Sequence, residues 1–374
     1  MRPLLATIHA DALRHNLGVA RRLAGPARVL AMLKANAYGH GLLASASALL
    51  DADGFGVIEL DAALELRRAG WRKPILLLEG FYAADELRHF DTYDLTPVLH
   101  SMEQVDMLAA FDATRRFDVY VKINSGMNRL GFNVDVLPAV ATRLRSIRGI
   151  GCIVFMTHFA CADSVPGIGF QMERLAGLTV QPDAWSMANS AALIAHESAR
   201  ADIVRPGIML YGASPLNSHS AAALGLEAAM TLRSTIIAVQ SLRPGDIVGY
   251  GATFTCATPM RIGIVACGYG DGYPRHAGSG APAAIVFDDE THVTTTVGRV
   301  SMDKLAIDIT AWPAAGIGTC VELWGRHVAV DRVAAHAGTS GYELLSAVTA
   351  RVPRAVDGAS SRTLHRPLID PCCH

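Results

Sequence analysis

At 374 residues the chain exceeds one average domain, so two are expected, and 51% hydrophobic residues supply ample core and exclude a disordered composition. Basic and acidic side chains number 33 and 34, for a net charge of −1, and the fourteen histidines are scattered. That balance excludes a bulk electrostatic pull toward nucleic acid or an anionic membrane.

Cysteines at 152, 161, 256, 267, 320, 372 and 373 form no C-x-x-C pair, which speaks against a disulfide framework or a zinc site. The first residues carry no apolar h-region and no apolar run reaches spanning length, so a reducing cytoplasm is the expected compartment. In chain order, Asp11 is placed to cap a helix over 11–24 that Gly25-Pro26 ends. Apolar runs then predict strands over 28–33, 54–58, 75–79, 94–98, 117–123, 151–158, 184–187 and 202–204. Helical patterns fall between them, over 41–51, 60–69, 84–90, 101–110, 135–147, 167–177 and 190–199. Continuous apolar strands alternating with helices signal a parallel sheet covered on both faces, and eight such units predict a closed (β/α)8, TIM-like barrel.

After about residue 226 the texture becomes β-branched, alternating and cut by Pro, Gly and Asp turns, as in "LRSTIIAVQSLRPGDIVGYGATF" and "HVTTTVGRVSMDKLAIDIT". That predicts a mainly antiparallel β domain, with a last helical pattern over 340–352 ahead of Pro353. The expected division is a barrel over 8–225 and a β domain over 226–374, joined by residues 1–7.

In a (β/α)8 barrel, reactive groups come from the C-terminal ends of the strands. Lys34 follows the first strand, Lys122 ends the fifth, Arg129 lies in the loop beyond it, and His158 ends the sixth. Asn189-Ser190 follow the seventh strand and Arg205-Pro206-Gly207-Ile208 the eighth, where such barrels often bind phosphate. A phosphate site beside a lysine, a histidine and an arginine suggests pyridoxal 5'-phosphate, with no metal required.

The segments "AMLKANAYGHG", "VKINSGMNRLGF", "THFA", "NSA", "VRPGIMLYG", "VGYGATF", "GYGDGYPR", "GRVSMD" and "GYELL" occur in this order across essentially the whole chain. Together they resemble the motif set of alanine racemases, fold-type III pyridoxal-phosphate enzymes. The resemblance implies that Lys34 is the Schiff-base lysine and that Tyr38, Ser190, the Gly207 and Ile208 amides and Tyr342 hold the phosphate. It implies that His158 packs on the pyridine ring and that Arg205 faces the ring nitrogen, which a guanidinium leaves unprotonated. Arg129 and the Met302 N–H would hold the substrate carboxylate, and Lys122 matches a lysine carbamylated in many members. Asn124 stands where the family usually carries an acid, and Ser301 where many members carry cysteine.

Racemisation needs proton removal on one face of Cα and delivery on the other. The resemblance makes Tyr269 the second acid/base group, serving the L-enantiomer while Lys34 serves the D-enantiomer. It also implies a homodimer in which Tyr269 and Met302 act on the partner's barrel. The expected activity is therefore interconversion of L- and D-alanine, to supply peptidoglycan or for catabolism, on a small amino-acid substrate with no nucleic-acid or membrane partner. A broader amino-acid racemase, a fold-related decarboxylase and a non-catalytic pyridoxal-phosphate carrier are the alternatives.

Overall fold

The computed structural model describes residues 2–287 and 290–358; Cys372, Cys373 and the last part of the expected second domain lie outside these. β1 (Leu5–His9) leads directly into a helix over Ala10–Ala24. Leu13, Leu17, Ala20 and Ala24 recur every three or four positions on this helix and are all buried, so one stripe drives its docking. Asp11 does not cap it. His9 occupies the N-cap position without a side-chain cap, and Asp11 sits in the first turn, where its charge suits the helix dipole.

Eight parallel strands then build the barrel: β2 (Arg28–Met32), β3 (Gly54–Val57), β4 (Ile75–Leu77), β5 (Thr96–Leu99), β6 (Phe117–Lys122), β7 (Ile150–Met156), β8 (Ala184–Ser186) and β9 (Ile203–Val204). Arg28 opposite Ile203 and Val29 opposite Val204 close the ring. Both faces are covered, so β3 and β4 are buried at every position.

Several boundaries differ from expectation for local reasons. β5 starts later than residue 94 because Asp94 adopts a left-handed conformation (φ 54°) and ends the Leu87–Tyr93 helix. β7 stops at Met156, leaving Thr157 and His158 beyond the strand. The stretch predicted as helix 190–199 breaks at His196 into Ser190–Ala195 and a 3₁₀ turn over Glu197–Ala199.

The second sheet is built around the long β10 (Met230–Leu242), whose inward residues Met230, Leu232, Ser234 and Ile236 alternate with more exposed ones. Beyond the small hairpin of β11 (Ile247–Val248) and β12 (Phe254–Thr255) come β13 (Met260–Val265), β14 (Pro282–Phe287), β15 (Glu290–Val297), β16 (Leu305–Asp308), β17 (Cys320–Trp324) and β18 (Arg354–Asp357). β10 pairs antiparallel with β13, β17 and β1, and β18 adds to β1 in parallel. The first strand of the chain is thus an element of the last sheet. A helix over Val330–His336, too short to stand out by periodicity, and one over Gly341–Ala347 complete this unit; the latter is shorter than the predicted 340–352 because Val348 leaves helical geometry.

Candidate active site

The segment after β2 is a left-handed helical turn. Ala35, Asn36, Ala37 and Tyr38 all have φ between 50° and 54°, a conformation that costs non-glycine residues about 1–2 kcal/mol each. Local bonds offset it. The Ala37 N–H donates to Leu33 O (2.8 Å), Gly39 N–H to Ala35 O (3.0 Å), and the Asn36 side-chain oxygen accepts from Leu42 N–H (2.8 Å).

The second sheet's side of the molecule clamps the turn. A Cβ on Gly39 would stand 2.0 Å from the Leu345 carbonyl oxygen, and Arg354 Nε donates to Gly39 O (2.8 Å). The consequence is that Lys34 and Tyr38, one helical turn apart, line the same cavity at the C-terminal mouth of the barrel.

That cavity, of about 300 Å³, is lined by every barrel-side residue the sequence nominated: Lys34, Tyr38, Lys122, Arg129, His158, Asn189, Ser190, Arg205, Gly207 and Ile208, with Tyr342 reaching in from the Gly341–Ala347 helix. Tyr38 stacks on the buried Tyr211 ring (4.7 Å), whose hydroxyl donates to Met32 O (2.7 Å). A Cβ on Gly207 would lie 2.4 Å from the Tyr38 hydroxyl, so only glycine lets that hydroxyl sit here. Ser190 Oγ accepts the Gly207 N–H at 2.8 Å, bringing two hydroxyls to one end of the cavity. Asn189 caps the Ser190–Ala195 helix through Oδ1 to Ala192 N–H (3.0 Å).

Arg205 is buried and held by four acceptors: Nη1 donates to Ser186 O and Oγ, both at 2.7 Å, and Nη2 to Thr157 O (2.6 Å) and Met187 O (3.3 Å). Its Nε–H has no protein acceptor among the described residues. Burial brings its guanidinium down to about 10, which leaves it charged at neutral pH.

Cationic crowding governs the titration of its neighbours. Burial, then Arg129, lowers the Lys34 amine, against an upward pull from Glu79. Burial and Arg129 bring Lys122 to about 8. Burial, Arg205 and Arg129 push His158 to about 3, so its ring is neutral.

Lys122 yields a stability prediction. The unfolded amine keeps its proton to about pH 10.5 while the folded one gives it up near 8, so stability rises with pH across that window. Lys122→Met is expected to stabilise the chain by roughly 2–3 kcal/mol below pH 8, with the gain fading as pH climbs toward 10.5. Urea unfolding across this range, on protein kept free of carbon dioxide so that Lys122 stays an amine, checks it; destabilisation at every pH would show that burial of the charged amine is not what costs stability here.

Glu79 was not nominated, yet it lines the cavity just past β4 and is the only carboxylate among its described lining residues. Its signal was present, an acid directly after the strand-like "PILLL" at the same rim as Lys34. Asn124, in place of an acid, organises the loop before Arg129 by accepting the Asn128 N–H (2.9 Å) and Gly126 N–H (3.2 Å).

Tyr269 and Met302 do not line this cavity. They lie side by side on adjacent tips of the second sheet, with Tyr269 N–H donating to Ser301 O (3.0 Å) and Gly270 N–H to Met302 O (2.9 Å). Both residues are exposed, by 37% and 52%, and the Met302 N–H has no acceptor among the described residues. Among the described residues no group of three or more His, Cys, Asp or Glu is placed to hold a metal, and no helix is long and apolar enough to cross a membrane.

A lysine-bearing, donor-rich cavity at the C-terminal mouth of a (β/α)8 barrel, joined to an antiparallel β unit, is the arrangement of a barrel enzyme. The alanine racemase N-terminal domain profile matches residues 8–215 and the C-terminal domain profile residues 229–356. The chain belongs to the alanine racemase family, a family of isomerases. It is 50% identical over 359 residues to the alanine racemase of Nitrosospira multiformis, covering 94% of this chain and 99% of that protein. It is 49% identical over 354 residues to the catabolic alanine racemase of Salmonella typhimurium, covering 94% and 98%. The crystal structure of biosynthetic alanine racemase from Pseudomonas aeruginosa superposes with a TM-score of 0.92 at 45% identity, over 95% of this chain and 99% of that one.

Proposed function

We propose that the chain is a cytoplasmic, homodimeric enzyme that binds pyridoxal 5'-phosphate in the barrel cavity and interconverts L- and D-alanine with Lys34 and Tyr269 as opposed acid/base groups. The observation that carries this reading is the joint placement of Lys34 and Tyr38 on one left-handed turn, which sets an amine and a phosphate-type donor in one cavity.

The cavity's donor set fits the cofactor. The Tyr38 and Ser190 hydroxyls, the Ile208 amide and Tyr342 would hold a phosphate, joined by the Gly207 amide once it gives up Ser190 Oγ, and the uncommitted Nε–H of Arg205 would meet a ring nitrogen. When bound, the cofactor supplies an electron-poor ring that stabilises negative charge developing at Cα.

The chain's own groups do the rest. Arg129 and the Met302 N–H would orient the substrate carboxylate. Burial and Arg129 keep the Lys34 amine lowered, which favours a neutral amine able to take a proton from one face. The neutral His158 adds no further cation to the cavity. A second group must then act on the opposite face, and Tyr269, standing outside its own cavity, would do so in the partner's. Lys122, with its amine at about 8, would be available for carbamylation, and the negative charge so formed would orient Arg129. In this reading residues 8–225 form the cofactor unit, and 226–374 with 1–7 form the unit that lends the second base. Racemisation in either direction serves supply of D-alanine for peptidoglycan as well as its catabolism.

The test is polarimetry of purified protein with L-alanine, D-alanine and larger amino acids, before and after cofactor removal. Loss of optical rotation from both alanine enantiomers, dependent on the cofactor, is expected. Bound cofactor with no racemisation of any amino acid would favour a carrier, and release of carbon dioxide a decarboxylase.

A further inference from the structure

We propose that Asp271, with Arg2 and Arg351, forms a positioning unit that fixes the reach of Tyr269 and Met302; this rests on the reading of Tyr269 as the second acid/base group. The Asp271 side chain has zero exposure and collects bonds from three separate parts of the chain. Arg2 donates through Nη1 (2.6 Å) and Nη2 (2.8 Å), Arg351 through Nε (2.6 Å), and the Gly268 N–H at 2.9 Å.

Both arginines also cross to the neighbouring tip. Arg351 Nη2 donates to Asp303 Oδ1 (2.6 Å) and Arg2 Nη2 to Asp303 O (2.7 Å), the residue after Met302. The buried carboxylate therefore bolts the Tyr269 turn to the Met302 turn. Burial alone would raise its pKa, but the Arg351, Arg2 and Gly268 donors hold it below the usual carboxylate range.

The backbone is pinned from the other side as well. Thr349 N–H donates to Asp271 O and Thr349 Oγ to Gly270 O, both at 3.1 Å. A Cβ on Gly268 would lie 2.2 Å from Ser301 O, and one on Gly272 2.2 Å from Ala347 O. An exposed tyrosine is thus carried on a rigid mount, where an ordinary surface turn would need none of these bonds. A misplacement of about 1 Å at a reacting group costs on the order of 100-fold in rate, which gives such a mount a use. Arg351 also follows the helix that sends Tyr342 into the barrel cavity, so one segment serves both tips.

The experiment compares two rates on the holoenzyme in deuterated solvent: racemisation, by chiral chromatography, and exchange of the α-hydrogen of D-alanine, by NMR. Lys34 serves the D-enantiomer, so loosening the Tyr269 mount should spare exchange and impair inversion. Arg351→Met is expected to lower racemisation roughly 10- to 100-fold while exchange falls less than about threefold, with Arg351→Lys partly restoring inversion. Should Arg351→Met fail to fold, Arg2→Met removes the other arginine and carries the same expectation. Equal losses in both rates, or no loss in either, would overturn the positioning role. Tyr269→Phe is the control: full racemisation in that variant would sink the two-base reading itself, whatever the arginines do.

Discussion

Lys34→Ala is expected to lower alanine racemisation roughly 10²- to 10⁴-fold, the range typical of removing a positioned acid/base group. The large effect follows from geometry more than from charge. The cavity holds two lysines, but only Lys34 sits on the left-handed turn with Tyr38, where the chain accepts unfavourable backbone angles to place them. Lys122 stands at the end of β6, on another strand of the ring, and cannot take over the same face. The substitution should leave the fold intact, because Lys34 is only half-buried and its side-chain amine makes no hydrogen bond among the described residues. It should also leave the phosphate donors in place, so pyridoxal phosphate still binds but is lost on dialysis. Chiral chromatography and equilibrium dialysis, run together, check both halves. Retention of a tenth or more of the parent rate would show that Lys34 is not the first base.

What the sequence made legible follows from what each feature depends on. Lys34, His158 and Arg205 could be read because a parallel barrel sends the C-terminal ends of all its strands to one rim, so periodicity alone locates them. The left-handed turn could not, because Ala-Asn-Ala-Tyr carries no glycine to signal positive φ, and the contacts that clamp it, the Arg354 bond to Gly39 O and the Leu345 backbone packed against Gly39, come from over 300 residues away in sequence. β1 reads locally as an ordinary short apolar run, and its place in the far sheet is fixed by long-range pairing with β10 and β18. Asp11 satisfied a local capping rule, but the helix begins one residue after β1 and leaves no turn in which to cap it. Glu79 is legible by the same rim logic, as the acid that directly follows the strand-like "PILLL". Tyr269 is the opposite case. Nothing in its local pattern marks it as reactive, and its own chain holds it away from the cavity. Only the family resemblance pointed to it.

Tyr269→Phe is expected to be as damaging as Lys34→Ala, yet the two inactive proteins should recover activity when mixed. In a shared-site dimer, each cavity takes Lys34 from one subunit and Tyr269 from the other. A heterodimer of the two variants then contains one site lacking both groups and one site with both intact. Random reassortment makes about half of the dimers mixed, each with one working site of two, so about a quarter of the parental rate should return. The structure gives the prediction its force. Tyr269 is exposed on a mount braced by Asp271, and Met302 beside it keeps an N–H free of any acceptor among the described residues. Such a tip is costly to build on a surface and makes sense where a second barrel covers it. Unfolding and refolding a mixture of the two variants, with each alone carried through the same steps, measures the recovery. If Tyr269 served its own barrel, or served none, every cavity in the mixture would lack one group or need only the other. Activity would then stay at the level of the separate variants, and shared sites would be ruled out while the role of Lys34 stood unchanged.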